Sequence, residues 1–498
     1  MNAKELHRLS RLTYPHVCGK LDYRNIDSTL IMTTDAPISE SEPNFHAVVD
    51  YEDPYVQPLI ISALAKHLPS SSYKLITALS KLPSSTSRIL QFLQYESIDF
   101  EHILAHPATS LANAYVIRKA LIRKHYLSHT VSNWVTKYPE SPLKNHVKPS
   151  VEFEVDYAEF LDDALVEAWD LKESWARGVD DNGLEKAKED REWWILKPGM
   201  SDRGQGIRMF SNEEELTAIF EEWDPPSDHE DEDGTARSDH NGDDPTSASE
   251  EGHGIITSQL RHFVAQPYIH PPLLFPSPSS TSTDPSALRK FHIRTYVLAV
   301  GALKVHVYKP MLALFAAGPY VPPWESTNDA KGLSAHLTNT CLQGTKESEG
   351  NVALFWDLPS DFPPQLPCAS ASLQPDPHWK DHVFSQICTT TAEVFNAAAR
   401  SMSIHFQPLP NAFEIFGLDF LVGIEPNGEL RAYLLEVNAF PDFRQTGDEL
   451  KGLVEGLFEG VVGVSIKPFF GLGKGEAVSE RDADFGFEQV LDIDLGRR

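Results

Sequence analysis

The rhythm of apolar and polar positions changes along the chain, and the change falls near Trp193. Between residues 41 and 110, short apolar runs such as LIISALAKHL and SRILQFL alternate with Pro and Ser breaks. That pattern predicts a small mixed unit with helical content. From Leu111 to Lys137, LANAYVIRKALIRKHYLSHTVSNWVTK sets apolar residues at helical spacing with basic residues between them, which predicts one or two helices with a basic face. A solvated helix surface gives the same spacing. Residues 1–40 are weakly patterned. From Trp193 onward, short β-branched and aromatic runs alternate with helical segments, the texture of an α+β core.

Polar interruptions mark the boundaries. The acidic run at 224–254 and the stretch FPSPSSTSTDPSA at 275–287 are too polar, or too rich in Pro and Ser, to pack. Both are expected to be disordered insertions, and 358–378 reads as a Pro-rich loop. The expected division is a mixed, helical N-terminal region at 1–150, an α+β domain at 151–470 and a C-terminal tail at 471–498. No internal repeat is evident.

A length of 498 residues allows about two to four packed units. With 41% hydrophobic and 10% aromatic residues, the composition is that of a globular protein. Net charge is −29, and the stretch from Asp224 to Glu251 holds eleven acidic residues against one Arg. Phosphate backbones need clustered Lys and Arg, so a nucleic-acid partner is not expected. Cys18, Cys341, Cys368 and Cys388 show no CxxC spacing, which argues against a disulfide framework or a zinc site. The opening MNAKELHRLSRLTYPHVC has no apolar signal core, and no apolar run approaches the ~20 residues a membrane span needs. The cytoplasm is the expected compartment, with the nucleus as the alternative, and a monomer without a membrane partner is expected.

Four segments carry chemistry. WWILKPGMSDRGQGIRMF, at 193–210, runs an apolar strand into Lys197 and then into a loop containing Gly204 and Gly206. A lysine at a strand end offers a fixed cation, and glycines let backbone amides approach phosphate oxygens. A hairpin turn with a surface lysine is the alternative. The P-loop pattern is absent from the chain. In RKFHIRTYVL, at 289–298, alternation puts Lys290, His292 and Arg294 on one strand face and Phe291, Ile293 and Thr295 on the other. Three potential cations on one face call for an anion, unless that face meets solvent. FEIFGLDFLV and RAYLLEVNAFP flank a Pro-Asn-Gly turn, which predicts a hairpin. Asp419 and Glu436 interrupt its apolar strands, and with Asn438 they offer the hard oxygens that Mg²⁺ takes; a buried salt bridge is the alternative. The fourth segment, AHLTNTCLQ at 335–343, is a polar turn whose His336 and Cys341 fit no thiol-nucleophile pattern.

In this order, LKPGMSDRGQGI, VAQPYIHPPLL, RKFHIRTYVL, HLTNTCLQ, FEIFGLDFLV and LLEVNAFP resemble the tubulin–tyrosine ligase family, including its glutamylase-like branch. The likeness spans about 193–445, and six ordered pieces are far more specific than any one. The resemblance implies an ATP-grasp fold, two α+β lobes clamping ATP. It also implies an ATP- and Mg²⁺-dependent ligase that joins a free amino acid to a protein carboxylate through an acylphosphate, with the acidic C-terminus of α-tubulin as leading acceptor. Carried over by motif, Lys197 binds phosphates with the Gly204 and Gly206 loop, and Gln266, Tyr268 and Ile269 line the adenine pocket. Lys290 and Arg294 face the phosphates and the acylphosphate, and Asp419, Glu436 and Asn438 hold Mg²⁺. The chain departs from the family pattern at Pro267, where a Lys is common, at His292, where an acid is usual, and at Leu314, where the tyrosine ligases place a substrate-holding Arg. These departures leave the amino acid open. They also keep a second reading in play, a nucleotide-binding scaffold in a cytoplasmic assembly. The acidic run at 224–254 would repel a tubulin tail, whereas Arg118, Lys119, Arg123 and Lys124 could attract one.

Overall fold

The structure is a computed structural model and describes residues 42–199, 206–223, 261–279, 284–338, 351–366, 373, 375–447, 449–472 and 485–496. It opens with four parallel strands, β1 (Phe45–Asp50), β2 (Tyr73–Leu75), β3 (Ile89–Leu93) and β4 (Ser110–Ala112), in the order β2-β1-β3-β4. Helix α1 (Val56–His67) buries Val56, Leu59, Ile60, Ala63 and Leu64, the helical spacing of a single apolar stripe. The mixed unit expected here is therefore a parallel α/β layer. The stretch after it starts as strand, because Leu111 and Ala112 belong to β4. Helix begins at Lys119 with a single turn to Ile122, followed by α2 (Lys124–Lys137). Leu127, Val131 and Trp134 of α2 join the core of the central sheet described below, and the Trp134 indole donates to Glu393 at 2.7 Å.

A second, antiparallel sheet is built from β5 (Val151–Glu154), β6 (Trp194–Pro198), β7 (Arg208–Phe210) and β8 (His262–Pro267), in the order β5-β8-β6-β7. Trp194, Leu196, Phe210 and Phe263 pack against Phe220 and Trp223 of α3 (Glu213–Trp223). Alternation leaves Ile195, Lys197 and Gln266 on the opposite face.

The third sheet has eight strands: β9 (Leu274–Pro276), β10 (Leu288–Val300), β11 (Lys304–Tyr308), β12 (Leu312–Phe315), β13 (Val352–Leu354), β14 (Phe413–Ile424), β15 (Leu430–Ala439) and β16 (Phe487–Asp492). The long strand β10 is its spine. It pairs with β12 and then β11 along one edge, and with β14 along the other. Two expectations need correction here. The sequence places Phe275 in a disordered insertion, yet it is fully buried in β9 and stacks on Trp379, because its apolar ring outweighs the polar residues after it. The expected tail contains β16, which pairs with β11 and buries Phe487 beside Tyr308.

The central sheet is covered on both faces. On one, Phe291, Ile293, Phe416, Leu418 and Phe420 meet α2 and the long helix α4 (Trp379–Ser401). On the other, Tyr296, Leu298, Leu312 and Leu314 meet α5 (Lys451–Val461), whose Leu453, Val454, Leu457 and Phe458 also pack on α1. The parallel layer is thus welded to the central sheet through α5. Among the described residues, no helix is long and apolar enough to cross a membrane.

Candidate nucleotide site

The site grows from one face of β10. Phe291 and Ile293 enter the core, which turns Lys290, His292 and Arg294 the other way, as alternation requires. These three are only 7%, 2% and 5% exposed, so the solvent-facing alternative does not hold. In register, Leu314 of β12 lies opposite His292 and Leu312 opposite Arg294, so both leucines share the face of the polar residues. Leu314 is fully buried there. Asp419 of β14 lies opposite Arg294 and accepts from it twice, Nε to Oδ1 at 2.5 Å and Nη2 to Oδ2 at 3.0 Å. This bidentate, charge-assisted pair holds the guanidinium charged: burial alone would lower its pKa, and the Asp419 charge raises it. His292 is pinned by Nδ1 to Thr338 Oγ1 at 2.6 Å, and burial keeps the ring below the ordinary histidine range.

A break in alternation brings in the second carboxylate. Asp419 pairs with Glu436, but Phe420 pairs with Leu434, so the register slips by one residue at Leu435. Without this bulge Glu436 would share the core face of Leu434. With it, Leu434 and Val437 both reach the core, while Leu435 joins Ile269 and Tyr433. Glu436 and Asn438 are thereby presented beside Asp419. Asn438 Nδ2 lies 3.1 Å from Glu436 Oε1 and 3.3 Å from Asp419 Oδ2. Gly417, opposite Asn438, makes the approach feasible, since a Cβ there would sit 2.8 Å from Pro441 Cβ and 3.3 Å from Arg294 Cδ.

The second sheet supplies the facing wall. Lys197, at the end of β6, donates to Gln266 Oε1 at 2.9 Å. Gln266 lies on β8 opposite Ile195. Tyr268 takes the Lys290 ammonium both on its hydroxyl, at 3.2 Å, and over its ring, 4.4 Å from the centroid. Ile269 packs with Leu421 and Tyr433. Gly206 has φ +73°, a conformation open to glycine at the end of the loop. Gly204, the acidic run and Asn339–Gln343 lie outside the described residues.

Charge decides what this arrangement can hold. Among the described residues, neither Lys197 nor Lys290 has a carboxylate within 4.0 Å. Burial lowers Lys197 to about 8, and burial together with the neighbouring Lys197 lowers Lys290 to about 7. Glu436 goes the other way: burial would raise it, but Lys124, Lys197, Asn438 and Arg294 together pull it well below the carboxylate range. Lys124, from the start of α2, approaches Glu436 at 3.6 Å. The site therefore gathers Lys124, Lys197, Lys290 and Arg294 around Asp419 and Glu436, a surplus of cations that suits a polyphosphate. Among the described residues, no three His, Cys, Asp or Glu side chains form a metal cage of their own. Two carboxylates and an amide do fit Mg²⁺, which takes one or two protein carboxylates and completes its shell with phosphate and water.

Two of the four residues expected on a basic face, Arg118 and Lys124, turn away from it, while Lys119 stays exposed. Arg118 is buried in an ion pair with Glu414 (2.9 Å) and lies over the Tyr95 ring, while Lys124 turns to Glu436. Sequence reasoning missed the role of Lys124, the bulge at Leu435 and the bond from Thr338 to His292. The doubled leucine before Glu436 was the one local signal for the bulge. Lys124 had none, because its partner lies 312 positions away.

Comparison with known proteins agrees with this geometry. The model of the tubulin–tyrosine ligase family matches residues 113–471. A probable tubulin–tyrosine ligase of Schizosaccharomyces pombe is 41% identical over 447 residues, covering 90% of this chain and 96% of its own length. The probable tubulin–tyrosine ligase PBY1 of Saccharomyces cerevisiae is 38% identical over 480 residues, 94% of this chain, which spans only 57% of that protein. Among solved structures, the C-terminal domain of K. lactis Pby1 is similar at a TM-score of 0.59 and 33% identity, covering 90% of this chain and 99% of that one. That domain is described as an ATP-grasp enzyme interacting with the mRNA decapping enzyme Dcp2. The chain has the ATP-grasp fold and belongs to the tubulin–tyrosine ligase family.

Proposed function

We propose that this chain is an ATP- and Mg²⁺-dependent carboxylate–amine ligase that joins an amino acid to a protein carboxylate in the cytoplasm, with the C-terminus of α-tubulin as the leading acceptor. The observation that carries the reading is the pair of buried lysines, Lys197 and Lys290, depressed to about 8 and about 7 and, among the described residues, with no carboxylate within 4.0 Å. Such cations cost free energy unless an anion joins them. In the reaction, the acceptor carboxylate attacks the γ-phosphorus, ADP departs and an acylphosphate forms. The amine then attacks the acyl carbon, phosphate departs and the amide remains. Lys197 and Lys290 hold the phosphates in line. Arg294, fixed by Asp419, presents a permanent charge beside the transferring group. Asp419, Glu436 and Asn438 would hold Mg²⁺, which neutralises phosphate charge when bound.

A second reading is favoured by one position and one relative. Leu314 fills with hydrocarbon the place where the tyrosine ligases carry an Arg, and the K. lactis relative is described as interacting with a decapping enzyme. On this reading the chain binds nucleotide and serves as a scaffold in a cytoplasmic assembly. Intact-mass spectrometry of detyrosinated tubulin, incubated with the protein, Mg-ATP and a pool of amino acids, separates the two. A mass gain with the wild type and none with Glu436→Gln supports the ligase, and its size identifies the amino acid. No gain with Mg-ATP binding intact favours the scaffold, and no Mg-ATP binding removes both.

A further inference from the structure

His336 lies in a segment whose neighbours Cys341 and Asn339 invite attention, but its own environment is more informative. It is 2% exposed, and its Nδ1 lies 2.7 Å from the Tyr268 hydroxyl. The same hydroxyl lies 3.2 Å from Lys290 Nζ. While Lys290 is charged, its ammonium can only donate, so the Tyr268 oxygen accepts from it. The Tyr268 proton then has two neighbours able to accept it, His336 Nδ1 at 2.7 Å and the Tyr320 hydroxyl. Given to Nδ1, it leaves His336 neutral with its own proton on Nε2, an atom with no hydrogen-bond partner among the described residues. The surroundings agree, since burial, with Lys290 and His270 nearby, drives His336 down to about 3.

We propose that His336 is a positioning residue of the nucleotide site, its Nδ1 fixing the Tyr268 hydroxyl so that hydroxyl and ring together hold the Lys290 ammonium where a phosphate takes it up. The inference rests on the nucleotide reading of the site. It explains why a histidine, and not merely an apolar residue, is buried here: a packing residue would remove the Nδ1 acceptor and free the hydroxyl to turn from Lys290 toward Tyr320. An aromatic wall alone would retain the cation–π contact but lose the directional bond.

Two measurements on the full chain decide it. In long-range proton–nitrogen spectra of the nucleotide-free, ¹⁵N-histidine-labelled protein at pH 6, where Lys290 is charged, His336 is expected to carry its proton on Nε2, with a hydrogen-bonded, bare Nδ1 whose resonance moves in Tyr268→Phe. A proton on Nδ1, or an Nδ1 resonance indifferent to Tyr268→Phe, overturns the relay. Calorimetric titration with Mg-ATP is then expected to show a loss of about tenfold for both His336→Ala and Tyr268→Phe, the size of one hydrogen bond. The double variant should lose no more than either single one. His336→Asn, whose amide oxygen can accept in place of Nδ1, should recover to within about threefold of wild type. Additive losses, or failure of Asn to recover binding in variants that melt like the wild type, overturn the positioning role. A wild-type chain that binds no Mg-ATP sinks the nucleotide reading alone, and the spectra still decide the hydrogen-bond chain.

Discussion

Binding of Mg-ATP should draw protons from solution, by an amount set by two lysines. In the free protein Lys197 titrates at about 8 and Lys290 at about 7, both lowered chiefly by burial. A phosphate against each would restore the charged form. At pH 8, linkage then gives uptake of about half a proton at Lys197 and about nine tenths at Lys290, roughly 1.4 together. At pH 6 both lysines already carry their protons, and the uptake falls to roughly 0.1. A terminal phosphate that titrates near 6 can only release a proton on binding, so the ligand cannot imitate this signal. Calorimetry at each pH, in buffers of different ionisation heat, measures the number directly. Lys290→Met should remove about nine tenths of a proton at pH 8 and almost nothing at pH 6. Equal uptake at the two pH values, or release at pH 8, would refute the assignment of these lysines to the phosphates.

The same shifts fix the sign of a stability effect without ligand. An unfolded lysine titrates near 10.4. Between the folded values and that one, the native state binds fewer protons than the unfolded chain, so stability rises with pH there. Below about 7 both ammonium groups are buried charges, and Lys290→Met should melt above the wild type. The difference should shrink as pH passes through 8, and saturating Mg-ATP should reverse it.

Three further outcomes follow from packing. Arg294→Met leaves Asp419, 3% exposed, without its partner and should cost about 3–5 kcal/mol in urea unfolding, whereas Arg294→Met with Asp419→Leu should cost much less. Gly417→Ala places a methyl 2.8 Å from Pro441 Cβ and 3.3 Å from Arg294 Cδ, so it should destabilise by about 1–3 kcal/mol and also weaken Mg-ATP in calorimetry. Phe487→Ala should lower stability by about 3–5 kcal/mol, as expected for a core aromatic; a loss under about 0.5 kcal/mol would return residues 485–496 to the status of a tail.

The parts of the site that the sequence disclosed are those with a local physical signature. Alternation in RKFHIRTYVL separated Lys290, His292 and Arg294 from Phe291 and Ile293, and the structure keeps that division. Asp419 and Glu436 stood out because a carboxylate in an apolar strand needs a partner. The Pro-Asn-Gly turn located their hairpin between β14 and β15. Boundaries were less legible where one strong residue outweighs weak neighbours. Phe275 and Phe487 each anchor a short strand inside segments whose average composition is polar.

Charge partnership was the least legible, because it is fixed by pairing across long sequence separations. Both readings of Asp419 weighed from the sequence prove compatible. It makes a buried salt bridge with Arg294, and it also stands beside Glu436 and Asn438 in the set suited to a metal. A carboxylate offers about four lone-pair sites, so the bonds from Arg294 leave room for the metal role proposed above. By neutralising Asp419 while no ligand is bound, Arg294 lets the strand pair fold with the carboxylate already in place, and it leaves Glu436 charged under Lys124 and Lys197. By sequence, Arg118, Lys119, Arg123 and Lys124 form a basic face that could attract an acidic tail. The fold instead sends Arg118 to Glu414, tying α2's approach to the start of β14, and Lys124 to Glu436 at the end of β15. Lys124, at the start of α2, is thus part of the scaffold that sets the site's charge.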